Sequence, residues 1–140
     1  TGTTTGGGGG GTTATTAPNG GGVLALGPQT DFRLAPNSPV SGTQTLTFTA
    51  PAGKTLLITD IVFQNPASDV GRIQLQRDGA PLIEIGLQNF RDLDYHFIVP
   101  LQFTEGQRVQ IFIDCDNPGS TGCTPAAYFA GVLATPPAAG

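Results

Sequence analysis

Short segments in which apolar and polar residues alternate recur along most of the chain, and they limit the fold more than any other feature. Between Thr43 and Thr49, Leu46 and Phe48 fall on one side and threonines on the other. This alternation is typical of a half-buried β-strand, because successive side chains of a strand point to opposite faces. We find no convincing amphipathic helix, and the best candidate is a single turn within residues 87–93. The sequence therefore predicts an all-β protein.

Gly, Pro and Asn residues divide these segments into a regular series. We predict strands at Val23–Leu26, Thr43–Thr49, Thr55–Gln64, Arg72–Gln76, Pro81–Ile85, Tyr95–Phe103, Gln107–Asp114 and Ala126–Ala134. Asp78 and Gly79 are typical of the tight turn of a β-hairpin. Short strands at near-regular spacing indicate an antiparallel β-sandwich.

Two parts of the chain resemble each other and narrow the topology further. Residues 48–58 and residues 103–111 each pass from one strand through a glycine turn into another. Two such corners favour a jelly roll over a simple meander, whereas two unrelated hairpins would give the same similarity. We therefore predict an antiparallel β-sandwich, a jelly roll of about eight strands, with an extended Gly/Thr-rich N-terminal tail.

The first 22 residues have a composition of their own. Ten are Gly, eight are Thr and none is charged. This segment has too little apolar surface to offset the entropy of ordering it, so by itself it is predicted to be a flexible connector. We divide the chain into this connector (1–22), a β-sandwich domain (23–134) and a short Pro/Ala tail (135–140).

The connector suggests contact between copies of the chain. Fully extended, it spans at most roughly 70–80 Å, enough to cross a neighbouring domain. One part of it could add as a strand to the open sheet edge of another copy through backbone hydrogen bonds. The candidate contact residues are Thr12, Thr13, Thr15, Thr16, Val23, Leu24 and Leu26. A plain spacer is the alternative, and Thr3, Thr4 and Thr5 are candidate O-glycosylation sites.

Cysteine content and charge limit the compartment and the partners. Cys115 and Cys123 flank a short, turn-rich loop. A disulfide there would contribute about 2.5 kcal/mol on the chain-entropy model. Because disulfides persist outside the cytosol, we expect an extracellular or cell-surface protein. Ten acidic and six basic residues give a net charge of −4, which disfavours nucleic-acid binding. No apolar run is long enough for membrane insertion.

Residues 92–96 contain the strongest candidate for chemistry. In a strand, Asp92, Asp94 and His96 would share one face. Two carboxylates and an imidazole are suitable ligands for a divalent metal ion. A polar strand face, with His96 in a structural hydrogen bond, explains the same residues. We keep both interpretations at this point.

A structural calcium ion at the disulfide loop is a second metal hypothesis. Asp114, Asp116 and Asn117 resemble the opening of an Asp-rich calcium loop, yet Pro125 stands where the glutamate of such a loop is expected. No phosphate loop or nucleophile–base pair marks an active site. We therefore expect no catalytic residues and, apart from this calcium hypothesis, no cofactor.

Aromatic residues that could contact a sugar are few. The chain has no Trp, and Tyr95 and Tyr128 are its only tyrosines. Both are candidates for stacking on a glycan, and both also fit half-buried strand positions. Our leading hypothesis is a non-enzymatic extracellular subunit that assembles with copies of itself into a filament or surface array through its N-terminal tail. The alternative is a secreted carbohydrate-binding or adhesion module, with polysaccharide as its partner and the tail as its linker.

Overall fold

A computed structural model describes residues 14–16, 23–119 and 121–136 of the chain. The strands are β1 (Ala14–Thr16), β2 (Val23–Leu34), β3 (Thr43–Thr49), β4 (Thr55–Gln64), β5 (Gly71–Arg77), β6 (Ala80–Gly86), β7 (Asp92–Phe103), β8 (Arg108–Cys115) and β9 (Ala126–Thr135). A single 3₁₀ turn, Leu87–Asn89, lies between β6 and β7. In the β5–β6 hairpin, Asp78 and Gly79 both have positive φ, as the predicted tight turn requires.

The strands form two antiparallel sheets. One has the order β1-β2-β9-β4-β7 and the other β3-β8-β5-β6. From β2 to β9, strands pair as first with last: β2 with β9, β3 with β8, β4 with β7 and β5 with β6. This nested pairing is the jelly-roll arrangement, so the predicted antiparallel β-sandwich is confirmed.

Alternating side chains from both sheets fill the space between them. Phe63, Phe103 and Phe129 are among the largest fully buried side chains. Phe32 of β2 stacks on Phe129 of the same sheet, with ring centroids 4.7 Å apart. It also stacks on Phe48 of the opposite sheet at 3.9 Å. These rings join the two sheets, because stacked aromatic pairs add to the burial of their apolar area.

One end of the sandwich, beside the disulfide, contains buried polar side chains, and we call it the closed end (Asn65, Asp69, Cys115, Asn117 and Cys123). Cys115 and Cys123 form the predicted disulfide, with their Cα atoms 5.7 Å apart. Asn65 is fully buried and Asp69 is 3% exposed. Asn65 Nδ2 donates to the Asp69 carbonyl at 3.1 Å, and its Oδ1 accepts the Asp69 backbone N–H at 3.0 Å.

The carboxylate of Asp69 connects two loops at the closed end. Asn117 Nδ2 donates to it at 2.9 Å, and the backbone N–H of Thr124 does so at 2.8 Å. Asn117 also accepts the Val70 N–H at 2.6 Å. Buried polar groups are stable only when they are hydrogen-bonded, so this network is structural.

The structure describes only part of the predicted connector and of the predicted C-terminal tail. The backbone of β1 pairs with β2, with Thr15 opposite Leu24 and Thr16 opposite Val23. Thr3, Thr4, Thr5, Thr12 and Thr13 lie outside the described residues, as does the rest of the predicted connector apart from β1. Of the predicted C-terminal tail, residues 137–140 lie outside them as well.

Candidate functional site

The outer face of the five-stranded sheet has a groove along β9. Ala130, Gly131 and Val132 line its middle, between taller side chains of β2 and β4. The groove has a volume of about 650 Å³. A Cβ on Gly131 would collide with the backbone carbonyl of Leu57 on β4, so only glycine fits this close approach. Ala130, whose side chain is a single methyl group, leaves the middle of the outer face open.

Two carboxylates stand on opposite sides of this groove. Ala130 is paired with Asp31 of β2 on one side and with Asp60 of β4 on the other. The two aspartates are thus two strand spacings apart, or about 10 Å between Cα atoms. The β4 pairing is irregular between Ile58 and Asp60. Such bulges re-aim neighbouring side chains.

Hydrogen bonds fix the orientation of both carboxylates. Tyr128 Oη donates to Asp31 Oδ2 at 3.0 Å, and this bond raises the pKa of Tyr128. Thr59 Oγ1 donates to Asp60 Oδ2 at 2.7 Å, and His96 Nδ1 lies 2.8 Å from Asp60 Oδ1. The hydrogen bonds from Thr59 and then His96 lower the pKa of Asp60, so its carboxylate stays ionised at neutral pH.

The structure separates the two tyrosines that the sequence singled out. Tyr128 lines the groove, beside Gln29, Thr30 and Asp31. Tyr95 lies on the inner side of β7, where its ring meets Phe63 edge-on at 5.8 Å and stacks on Phe97 at 6.2 Å. Tyr95 contributes to core packing, so Tyr128 is the candidate that remains for contact with a ligand.

Asp92, Asp94 and His96 share the exposed face of β7, as their spacing predicts. His96 pairs with Asp60 of the neighbouring strand. Among the described residues, no three His, Cys, Asp or Glu side chains are placed to hold a metal ion together. The metal interpretation of this strand therefore receives no support from its geometry.

The proposed calcium loop uses its polar groups within the protein. Asp114 Oδ2 accepts a hydrogen bond from Arg72 Nε at 3.2 Å. Asn117 Nδ2 donates to Asp69 and to the Gly122 carbonyl, at 2.9 and 3.1 Å. In these contacts Asn117 joins neighbouring loops, and the calcium hypothesis stays a prediction.

Two further features of the same sheet are open to a partner. On its β1 side, β2 is paired only at residues 23–25, so residues 26–34 present an open edge there within the described chain. At the opposite edge, β7 bulges away from β4. Leu101 pairs with Ile58 and His96 with Asp60, so four residues of β7 lie opposite the single residue Thr59. The side chains of Ile98 and Val99 in this bulge are 92% and 80% exposed.

Comparisons with known proteins do not assign the chain to a family. The chain matches no protein-family model and no curated protein. Among solved structures it is similar to part of an insecticidal delta-endotoxin, Cry8Ea1, from Bacillus thuringiensis, with 15% identity and a TM-score of 0.30. The match covers 74% of this chain and 19% of that chain. A likeness of this size supports no conclusion about function.

Sequence reasoning missed Asp31, Asp60 and Gln29 as site residues. The alternation of Asp31 with Phe32 and Leu34 indicates that it faces outward, but the sequence does not show that β9 lies between β2 and β4. No helix among the residues described is long and apolar enough to cross a membrane.

Proposed function

We propose that this chain is a non-enzymatic extracellular structural subunit that assembles with copies of itself. In this proposal, the N-terminal segment of one copy pairs with the β2 edge of the next copy. The observation that carries it is the pairing of β1 with β2, which shows that residues 14–16 are compatible with this edge.

The β2 edge suits exchange between copies. Antiparallel pairing is made by backbone groups and requires no particular side chains, so the same three residues of another copy can occupy the same place. Exchange of an identical element is a low-cost route to association. The open edge at residues 26–34 also leaves room for a longer strand than β1.

The bulge of β7 provides a second surface for association. Large apolar side chains as exposed as Ile98 and Val99 are costly in water, and burying one stabilises a contact by about 1.5–3 kcal/mol. β2 and β7 lie at opposite sides of the five-stranded sheet. Contact through two different surfaces is heterologous, and it generates filaments when it does not close into a ring.

The extracellular location is inferred from the disulfide. Cys115 and Cys123 are bonded, and structural disulfides are rare in the reducing cytosol. A low content of charged residues, 11%, also fits a surface that is covered by neighbouring copies.

Replacing Thr15 and Thr16 together by proline tests the role of β1. Successive N–H groups of a strand point to opposite sides, so one of the two prolines removes an N–H that faces β2. Light scattering after size-exclusion chromatography should show assemblies for the natural chain and smaller species for the variant. The control is the same double substitution at Thr4 and Thr5, which should assemble normally. A natural chain that stays monomeric at all concentrations, or a Thr15→Pro/Thr16→Pro variant of unchanged size, would contradict the proposal.

A further inference from the structure

The groove on the outer face of the five-stranded sheet is not required for the proposed strand exchange. Its residues lie on β2, β4 and β9. On β9, Tyr128, Ala130 and Val132 alternate with buried residues and face outward from the sheet. We propose that this groove binds an uncharged saccharide, with Asp31 and Asp60 accepting hydrogen bonds from its hydroxyl groups. This binding activity goes beyond self-assembly and does not depend on it.

The size and lining of the groove fit a ligand of this class. Its volume of about 650 Å³ is within the range of small-molecule clefts, which is about 300–1,000 Å³. The methyl group of Ala130 and the side chain of Val132 give it an apolar floor. The ring of Tyr128 lies at the same surface. A saccharide has both an apolar C–H face and a rim of hydroxyl donors, so it matches a floor and walls of this kind.

The polar groups of the walls are arranged to accept hydrogen bonds. A carboxylate has about four lone-pair sites. Asp31 is bonded to Tyr128, and Asp60 to Thr59 and His96, so both carboxylates retain acceptor capacity. The Asp60 and His96 side chains are 47% and 70% exposed, in contrast to the buried Asp69. Adjacent sugar hydroxyls can donate together to one carboxylate, which would orient the ring.

The same lining disfavours anionic ligands and a metal ion held by both carboxylates. The lining residues include two aspartates and no Lys or Arg, so the groove is negative, with the exposed Arg33 outside its lining and opposite Tyr128. A single metal ion cannot contact both carboxylates, since their strands are separated by β9 and lie about 10 Å apart. A neutral ligand with several hydroxyl groups suits both the carboxylate acceptors and the apolar floor.

Ligand-observed NMR of the full chain tests the proposal with defined probes. The probes are neutral cello-, xylo-, manno- and malto-oligosaccharides at millimolar concentration, with oligogalacturonate as an anionic comparison. We expect saturation transfer to at least one neutral probe. Ala130→Leu should fill the groove and weaken that binding by about tenfold or more. Thr45→Leu, at an exposed position on the outer face of β3, should bind as the natural chain does.

Asp31→Asn provides a second variant that preserves side-chain volume. It should weaken binding of the same probe, and it keeps the proposal testable if Ala130→Leu does not fold. Binding to oligogalacturonate alone, binding unaffected by Asp31→Asn, or no transfer to any neutral probe would each overturn the inference. Because Ala130 is distant from the β1–β2 pairing, a folded Ala130→Leu variant should assemble normally, so the outcome is separable from the test of assembly.

Discussion

The closed end and the five-stranded sheet use similar polar residues in opposite ways. At the closed end, Asn65 and Asp69 are buried and bonded to neighbouring loops. On the five-stranded sheet, Asp60 and His96 are exposed beside a groove. The same sheet carries the open β2 edge and two exposed apolar side chains. Residue type alone therefore does not distinguish a structural carboxylate from one available to a ligand. Burial and the number of internal partners do so.

The largest effect is expected from Asp69→Ala at the closed end. The substitution empties a buried position and removes an acceptor of the partly buried Asn117 Nδ2 and Thr124 N–H. We expect it to lower the free energy of unfolding by about 3 kcal/mol, as measured by chemical denaturation. Folded variant molecules should assemble normally. Asp92→Ala, at an exposed position, is the control and should change stability by less than about 0.5 kcal/mol. If Asp69→Ala lowered the free energy of unfolding no more than this control does, the polar network of the closed end would not stabilise the fold.

The next effect is expected at the β7 bulge, and it concerns association. Ile98→Ser with Val99→Ser should weaken self-association by about tenfold or more, measured as the concentration dependence of mass in sedimentation equilibrium. Its free energy of unfolding should stay within about 0.5 kcal/mol of the natural value, because both side chains are exposed in the single chain. Leu82→Ser, at a less exposed apolar position on β6, serves as the comparison and should leave association unchanged. Equal association of the double variant and the natural chain would remove this surface from the proposed interface.

The smallest effect is a dependence of stability on pH at the groove. The pKa of Asp60 is below its usual value of 3.8, because Thr59 and His96 hydrogen-bond its carboxylate. A carboxylate with a lowered pKa stabilises the folded state above the unfolded pKa, and this contribution is lost as pH falls through the folded pKa. Asp60→Asn should therefore lose slightly less stability than the natural chain when the pH is lowered below about 4. Thermal melts over this range measure it, with Asp94→Asn on the same outer face as the control. If acid lowered the stability of Asp60→Asn more steeply than that of the natural chain, the assigned hydrogen bonds would be contradicted.

The fold could be predicted because alternation reports directly on burial. Leu46 and Phe48 of β3 face the core side, and the threonines beside them are exposed, as their period of two requires. The second half of β2 was missed, because Gly27 and Pro28 are typical strand breakers. After Gly27 and Pro28, Phe32 and Leu34 alternate with Asp31 and Arg33. The alternation typical of a strand was therefore present, but Gly27 and Pro28 interrupted it.

The groove was less predictable than the fold. Tyr128 was singled out for its aromatic ring, and it does line the groove. The pairing that sets Asp31 and Asp60 on either side of Ala130 comes from the order of strands in the sheet. Alternation fixes the face of each residue, but it contains no information on which strands become neighbours.

Strand exchange at β2 is tested most directly by crosslinking two different single variants. Thr15 and Leu24 are directly opposite each other in the β1–β2 pairing, a distance that a disulfide can bridge. Thr15→Cys and Leu24→Cys variants of different mass are mixed, oxidised and separated without reduction. The proposed exchange predicts mixed covalent dimers. Their yield should be well above that of the control, in which Thr15→Cys is mixed with Thr45→Cys. The contradicting result has two parts. The mixed single variants give no more covalent dimer than the control, and a Thr15→Cys/Leu24→Cys double variant forms only an internal disulfide. β1 would then stay within its own chain.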